Sequence, residues 1–324
     1  MKKIFIINFV IIIFIILFLE LFIKFFNFSG LMGIESGLVY HKNNNHHLVP
    51  GSNGLIFNTK VYTDNNGYRI PAKSFKYTTS NNLLFIGDST TFGNGVIEEE
   101  TFVGRLRKNF NEINFINTAV PGYQVKNYVQ NLPIYKGIGN VEKIIYVITL
   151  NDVFSSPNVV DLTNEKKFAV DRNSNFFIKL REISIINELN SLLRNRSHIY
   201  MYIKGRFSDP SKRYFKNVHK FYKENQILNL LNLVRDLKGI AKSNLYVVIL
   251  PYEYQTRKCT EDDLYPQNKI REILSDIEIN YYDFTEYFCK SSKPKQKFYK
   301  FDPMHLSAEG HELVYDLLKE RINF

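Results

Sequence analysis

Leu83-Leu84-Phe85-Ile86-Gly87-Asp88-Ser89-Thr90-Thr91-Phe92-Gly93 opens with a continuous apolar run, breaks at a glycine, and continues in small hydroxyl-bearing residues. An unbroken apolar run suits a strand buried on both faces, as in parallel sheets. Gly-Asp-Ser directly after it suits a turn into a helix. A serine just past the carboxyl end of such a strand stands where open α/β sheets bind ligands. Taken alone, the tripeptide reads as a capped turn, because these residues populate turns and caps for conformational reasons. It is not a G-x-S-x-G elbow, since Thr91 holds the last position. Gly93-Asn94-Gly95 is not a dinucleotide fingerprint either, because the third glycine would fall at Glu98.

The same alternation recurs downstream. Apolar runs at 83–86, 114–117, 143–150, 245–250 and 279–284 are separated by helical patterns near 98–110, 123–135, 217–242, 267–276 and 307–321. This is the signature of βαβ units, and it predicts one three-layer α/β/α domain over 81–324 with a five-stranded parallel sheet. Residues 155–215 exceed an ordinary connection, and the helical spacing of Phe176 to Leu193 predicts an inserted helical lid. Residues 29–80 are rich in Gly, Asn, Ser and Thr, which predicts a stalk and lead-in with a few short strands. The histidines of His41-Lys42-Asn43-Asn44-Asn45-His46-His47 have no carboxylate or cysteine at ligand spacing, so a solvated linker is favoured over a metal site.

The N-terminus sets the compartment. Lys2 and Lys3 precede an apolar run from Ile4 to Ile23, broken only by Asn8 and Glu20. At ~1.5 Å per residue such a run spans ~30 Å, the hydrocarbon thickness of a bilayer. No small-residue cleavage site follows, which favours an uncleaved signal anchor over 1–28 rather than a signal peptide. The lysines hold the tip in the cytoplasm and place the rest on the extracytoplasmic side. There a disulfide between Cys259 and Cys289 is permitted. These two cysteines are too far apart in sequence for a CxxC motif, which removes zinc ribbons and thioredoxin-like chemistry. The net charge of +10 is scattered and defines no nucleic-acid footprint.

A nucleophilic serine needs a base, and the base needs an orienting group. Both occur in Phe301-Asp302-Pro303-Met304-His305-Leu306-Ser307. Pro303 discourages helix, so this stretch reads as a loop after the last strand, with Ser307 capping the terminal helix. Asp302 can fix the tautomer of His305 while the other ring nitrogen faces Ser89. His311, inside the terminal helix, reads as structural and as the backup base. Two further strand ends offer oxyanion donors. These are Gly122 in Val120-Pro121-Gly122-Tyr123, and Asn151 in Thr149-Leu150-Asn151-Asp152. Each is weak alone; together they supply every role at one rim of one sheet.

At these residues the chain resembles the SGNH hydrolases, the GDSL esterase family. The first block resembles Gly87-Asp88-Ser89, the second contributes Gly122, the third Asn151, and the last resembles Asp302-x-x-His305. Thr149 stands where the third block has glycine. The resemblance covers roughly 81–324 and implies a flavodoxin-like fold. It implies Ser89 as nucleophile, His305 as general base then acid, and Asp302 as its orienter. The Ser89 N–H, the Gly122 N–H and the Asn151 amide would form the oxyanion hole, with no cofactor and no metal. Asn65-Asn66-Gly67-Tyr68-Arg69 and Pro251-Tyr252-Glu253-Tyr254-Gln255 also look like membrane-anchored bacterial members linked to surface polysaccharides. Location at the outer membrane face, with a lid rich in aromatic and basic residues, leads to the expectation of an esterase removing O-acetyl groups from glycans, anionic ones included. An O-acyltransferase with the same triad, or a non-catalytic tethered glycan-binding protein, remains open.

Overall fold

The computed structural model describes residues 2–26, 34–35, 37–42, 45–153, 188–189, 192–193, 196–207, 209–223, 230–241, 244–299 and 302–324. The chain forms two compact units, Ile34–Ser156 with Pro210–Phe324, and Met1–Gly33 with Pro157–Asp209.

In chain order the elements are α1 (Lys2–Phe25), a hairpin of β1 (Val39–Lys42) and β2 (Asn45–Leu48), then β3 (Asn53–Ile56), β4 (Thr59–Thr63), β5 (Arg69–Ile70) and β6 (Asn82–Ile86). They continue as α2 (Ser89–Phe92), α3 (Phe102–Asn109), β7 (Asn114–Asn117), α4 (Val125–Gly137), β8 (Val141–Ile148), α5 (His198–Phe207), α6 (Pro210–Lys223) and α7 (Leu230–Ile240). The chain ends with β9 (Leu245–Ile249), α8 (Glu261–Ser275), β10 (Asn280–Asp283), α9 (Thr285–Lys290), β11 (Phe298–Tyr299), β12 (Asp302–Leu306) and α10 (Ala308–Arg321).

One sheet has the order β10-β9-β8-β6-β7-β5-β4-β3. Its first five strands are parallel, and β6 lies between β7 and β8. That is the doubly wound order of flavodoxin-like sheets, which bind ligands past the carboxyl ends of the strands at the switch point, here beyond β6. Successive residues of these strands feed opposite cores. Leu84, Ile86, Ile144, Tyr146, Val247 and Ile249 pack on one face with Tyr128, Leu233 and Ile270. On the other, Leu83, Phe85, Ile145, Val147 and Val248 meet Phe102, Phe288 and Leu318. The period-two alternation of a pleated strand thus produces three layers.

The sheet does not stop at five strands. Residues 29–80 read as a stalk and lead-in, yet β5, β4 and β3 extend the sheet antiparallel beyond β7. The strand β4 shows why they are quiet in sequence: its buried residues are Val61 and Thr63, with Thr59, Lys60 and Tyr62 left partly or fully exposed. A strand covered on one face needs few apolar residues. Two further boundaries move. The single helix expected over 217–242 is α6 and α7, and the loop expected at 302–305 is β12, paired antiparallel with β11. A two-stranded edge tolerates Pro303 because the ladder need not use its missing N–H. Cys259 and Cys289 are joined by a disulfide that ties the turn before α8 to α9.

In the other unit, residues 3–25 of α1 are long and apolar enough to cross a membrane. Glu20, the one acid in that run, accepts from Ser197 Oγ at 3.0 Å and from the backbone N–H groups of His198 and Ile199, capping the first turn of α5. The helix expected over 176–193 lies outside the described residues except for 188–189 and 192–193.

Candidate active site

Residue 87 must be glycine, because a Cβ there would lie 2.1 Å from Thr91 Oγ1 and 3.0 Å from the Val147 carbonyl. This close approach turns the chain from β6 into α2. Asp88 caps that helix, its Oδ1 accepting from Thr90 N–H at 2.8 Å. The turn beyond is braced from the sheet extension. Arg69, fully buried, donates to the carbonyls of Phe92, of Gly93 at 2.8 Å and of Val96 at 2.5 Å, and its guanidinium lies 4.7 Å from the Phe92 ring centroid. Burial lowers its pKa to about 10, still charged at neutral pH.

Ser89 is half-buried, and its hydroxyl donates to Asp88 Oδ2 at 3.3 Å. The same carboxylate oxygen accepts from Thr149 Oγ1 at 3.0 Å and from Asn151 Nδ2 at 3.3 Å. Ser89 and Asn151 are thereby held on one oxygen, although they come from the ends of β6 and β8. The Asn151 carbonyl oxygen is fixed from the other side, accepting from the buried Tyr252 hydroxyl at 2.5 Å. An amide nitrogen carries two hydrogens. One is directed to Asp88, and among the described residues the second meets no acceptor.

Thr149, the departure from the family block, has one hydroxyl hydrogen and three acceptors near it: Asp88 Oδ2, Asn151 Oδ1 at 3.1 Å and Asp152 Oδ1 at 3.1 Å. Burial, reinforced by the Asp88 charge, holds the Asp152 carboxyl far above the usual carboxylate range. A neutral Asp152 can donate to Thr149 Oγ1, which frees the threonine hydrogen for Asp88. The threonine replaces a bare turn with a proton-sharing link between the two strand ends.

Beyond β7 the chain lies along β6 and the turn that follows it, with Thr118 N–H donating to Phe85 O at 3.0 Å and Val120 N–H to Gly87 O at 3.3 Å. Gly122 follows with φ +83°, a conformation that glycine adopts without cost. The β1–β2 hairpin clamps this loop, which corrects the reading of its histidines as part of a solvated linker. His46 Nε2–H donates to Pro121 O at 2.8 Å, and the Tyr123 hydroxyl donates to His46 O at 2.7 Å. Burial shifts the His46 pKa downward, so the ring is neutral at physiological pH and its single N–H is committed to Pro121.

His305 sits on β12, which lies directly against α2, the helix that Ser89 opens. The imidazole is 4% exposed and meets the Phe57 ring at 5.1 Å between centroids. Asp302 begins the same strand, and its side chain lies outside the described residues. His311 lies on α10. Its Nδ1 accepts from Phe102 N–H at 3.3 Å, its ring is wholly buried, and burial pushes its pKa down to about 3. That ring packs against the Phe102 ring, at 5.2 Å between centroids. Among the described residues no cluster of three or more His, Cys, Asp or Glu could hold a metal. Sequence reading gave no role to Arg69, Tyr252, His46 or Phe57. Only the quoted runs around Arg69 and Tyr252 carried a signal.

No family model and no curated protein matches the chain. Solved structures similar to it include a lipase/acylhydrolase from Enterococcus faecalis, 13% identical, over 75% of this chain and 97% of that one, with a TM-score of 0.42. An extracellular lipase from Streptomyces rimosus is 11% identical over 75% and 100%, with a TM-score of 0.46. An acetylxylan esterase from Geobacillus stearothermophilus is 16% identical over 77% and 97%, at 0.42. Likenesses this distant bear on neither activity nor substrate. The site stands on its own geometry.

Proposed function

We propose that this protein is a serine ester hydrolase of the SGNH type. The observation that carries this is the convergence on Asp88: one buried carboxylate oxygen gathers the Ser89 hydroxyl and the Asn151 amide from two strand ends, beside the strand that bears His305. In the reaction the Ser89 hydroxyl turns from Asp88 and attacks an ester carbonyl, giving its proton to His305. The developing oxyanion is met by the free N–H of Asn151 with the backbone N–H groups of Ser89 and Gly122. Collapse breaks the acyl C–O bond, His305 returns the proton to the leaving alcohol, and an acyl-Ser89 ester remains. Water, deprotonated by His305, then releases the acid. Asp302 orients the imidazole.

The preferred substrates are O-acetyl esters of extracytoplasmic glycans. Residues 3–25 act as an uncleaved anchor with the tip in the cytoplasm, and the Cys259–Cys289 disulfide suits an oxidising compartment. The test uses full-length protein in detergent micelles with p-nitrophenyl acetate, p-nitrophenyl octanoate and acetylated xylan. Turnover of the acetyl esters, lost by about 10⁴-fold or more in Ser89→Ala, supports the reading. Near-normal turnover by Ser89→Ala would overturn it.

A further inference from the structure

Ile56 pairs with Thr59 across the β3–β4 hairpin, which leaves Phe57 and Asn58 as its two-residue tip. Their φ angles are +52° and +61°. Two-residue hairpin loops favour this left-handed pair, which asparagine and glycine accept readily and a bulky residue resists. Asn58 obeys the rule and Phe57 breaks it. A side chain held in that region is over-determined by its surroundings, and such positions concentrate at functional sites. The surroundings of Phe57 include the imidazole of His305, at 5.1 Å between centroids and an interplanar angle of 68°. His305 is 4% exposed, while Phe57 itself is half-buried.

The chemistry assigns the two halves of an ester to different neighbours. The carbonyl oxygen faces the donors at Asn151, Gly122 and Ser89, whereas the leaving oxygen must come within hydrogen-bond reach of the group that protonates it. A ring in contact with His305 therefore borders the alcohol half and not the acyl half. We propose that Phe57 is the specificity-determining wall of the leaving-alcohol subsite, selecting saturated ring alcohols whose C–H faces pack flat against an aromatic face, as sugar rings do. This rests on the serine-hydrolase reading above and adds what selects the alcohol. It also explains why an aromatic residue occupies a turn position suited to asparagine.

The experiment compares kcat/KM for cyclohexyl acetate, n-hexyl acetate and cyclohexyl butyrate, followed by pH-stat with the full-length protein in detergent micelles. Wild type is expected to favour cyclohexyl over n-hexyl acetate by about tenfold, the scale set by one hydrophobic contact in a pocket. Phe57→Asn keeps a residue that accepts the left-handed turn and removes only the ring. In it the cyclohexyl preference should fall within about twofold of unity, with the acetate-to-butyrate ratio changed less than about twofold. Phe57→Tyr should retain the preference. If Phe57→Asn does not unfold cooperatively, Phe57→Leu, which keeps bulk without an aromatic face, takes its place. A retained ring preference in the folded ring-less variant, or a change in acyl-length preference instead, would overturn the assignment. Absence of all ester turnover by wild type would overturn the hydrolase reading, and this inference with it.

Discussion

The five parallel strands and the three antiparallel strands beside them belong to one sheet but are written in the sequence in different ways. The parallel strands are buried on both faces by α3, α9 and α10 on one side and α4, α7 and α8 on the other, so they appear as apolar runs. The extension lies at an edge, and in β3 and β4 only Ile56, Val61 and Thr63 are buried, which leaves the other positions to residues such as Asn53, Thr59, Lys60 and Tyr62. The parallel part supplies Ser89, Gly122 and Asn151 at its strand ends. The extension and the hairpin before it supply what holds them: Arg69 under the turn after α2, His46 on Pro121 and Phe57 on His305. The groups proposed to react sit at strand ends, where topology dictates, while the side chains packed around them come from the antiparallel extension and the hairpin alongside.

That division can be sharpened by pH and mutation, beginning with the largest effects. His311 lies on α10, where burial and the nearby Arg69 guanidinium bring its pKa to about 3, far below the unfolded value of 6.5. Between those values the unfolded chain binds a proton that the folded chain refuses, so stability is complete above pH 6.5 and falls as pH drops through the window. From pH 7 to pH 4 the loss should be on the order of 3 kcal/mol, and urea titrations should show it reduced in His311→Phe. Asn151→Ala should cost about 3 kcal/mol in the barrier, read as kcat on p-nitrophenyl acetate, with little change in unfolding midpoint.

Arg69→Met tests the extension. It removes the guanidinium donor from the Phe92 and Val96 carbonyls and leaves the Gly93 carbonyl with Val96 N–H alone, and should lower unfolding free energy by about 2 to 3 kcal/mol, more than it changes kcat in the surviving folded fraction. Equal losses at Arg69 in stability and in kcat would erase the distinction between reacting and bracing regions. Tyr252→Phe removes only the hydroxyl that holds the Asn151 amide. A fall of about tenfold in kcat with KM within about twofold is expected.

The parallel core was legible because its physics is local: runs of apolar residues, then glycine, asparagine or serine where each strand ends. The Gly-Asp-Ser turn, the Asn151 strand end and the Asp302-x-x-His305 spacing were visible for the same reason. The extension was not, since Arg69↔Asn117 is its single backbone pairing with the parallel strands and no local pattern announces it. Phe57 was hidden further still. Its importance lies in a left-handed backbone and in a partner 248 residues away, neither of which a run of Ile-Phe-Asn-Thr discloses. Thr149 was legible as a departure from a motif, but its meaning required the two carboxyls that meet it.

The central claim is that Ser89 is an activated nucleophile served by His305. Its most direct test is reaction of the full-length protein in micelles with a fluorophosphonate, followed by peptide mass spectrometry. The account predicts a single phosphonyl adduct on the peptide containing Ser89, absent in Ser89→Ala and formed far more slowly in His305→Asn. An adduct on another serine, or unchanged labelling of Ser89 in His305→Asn, would contradict it.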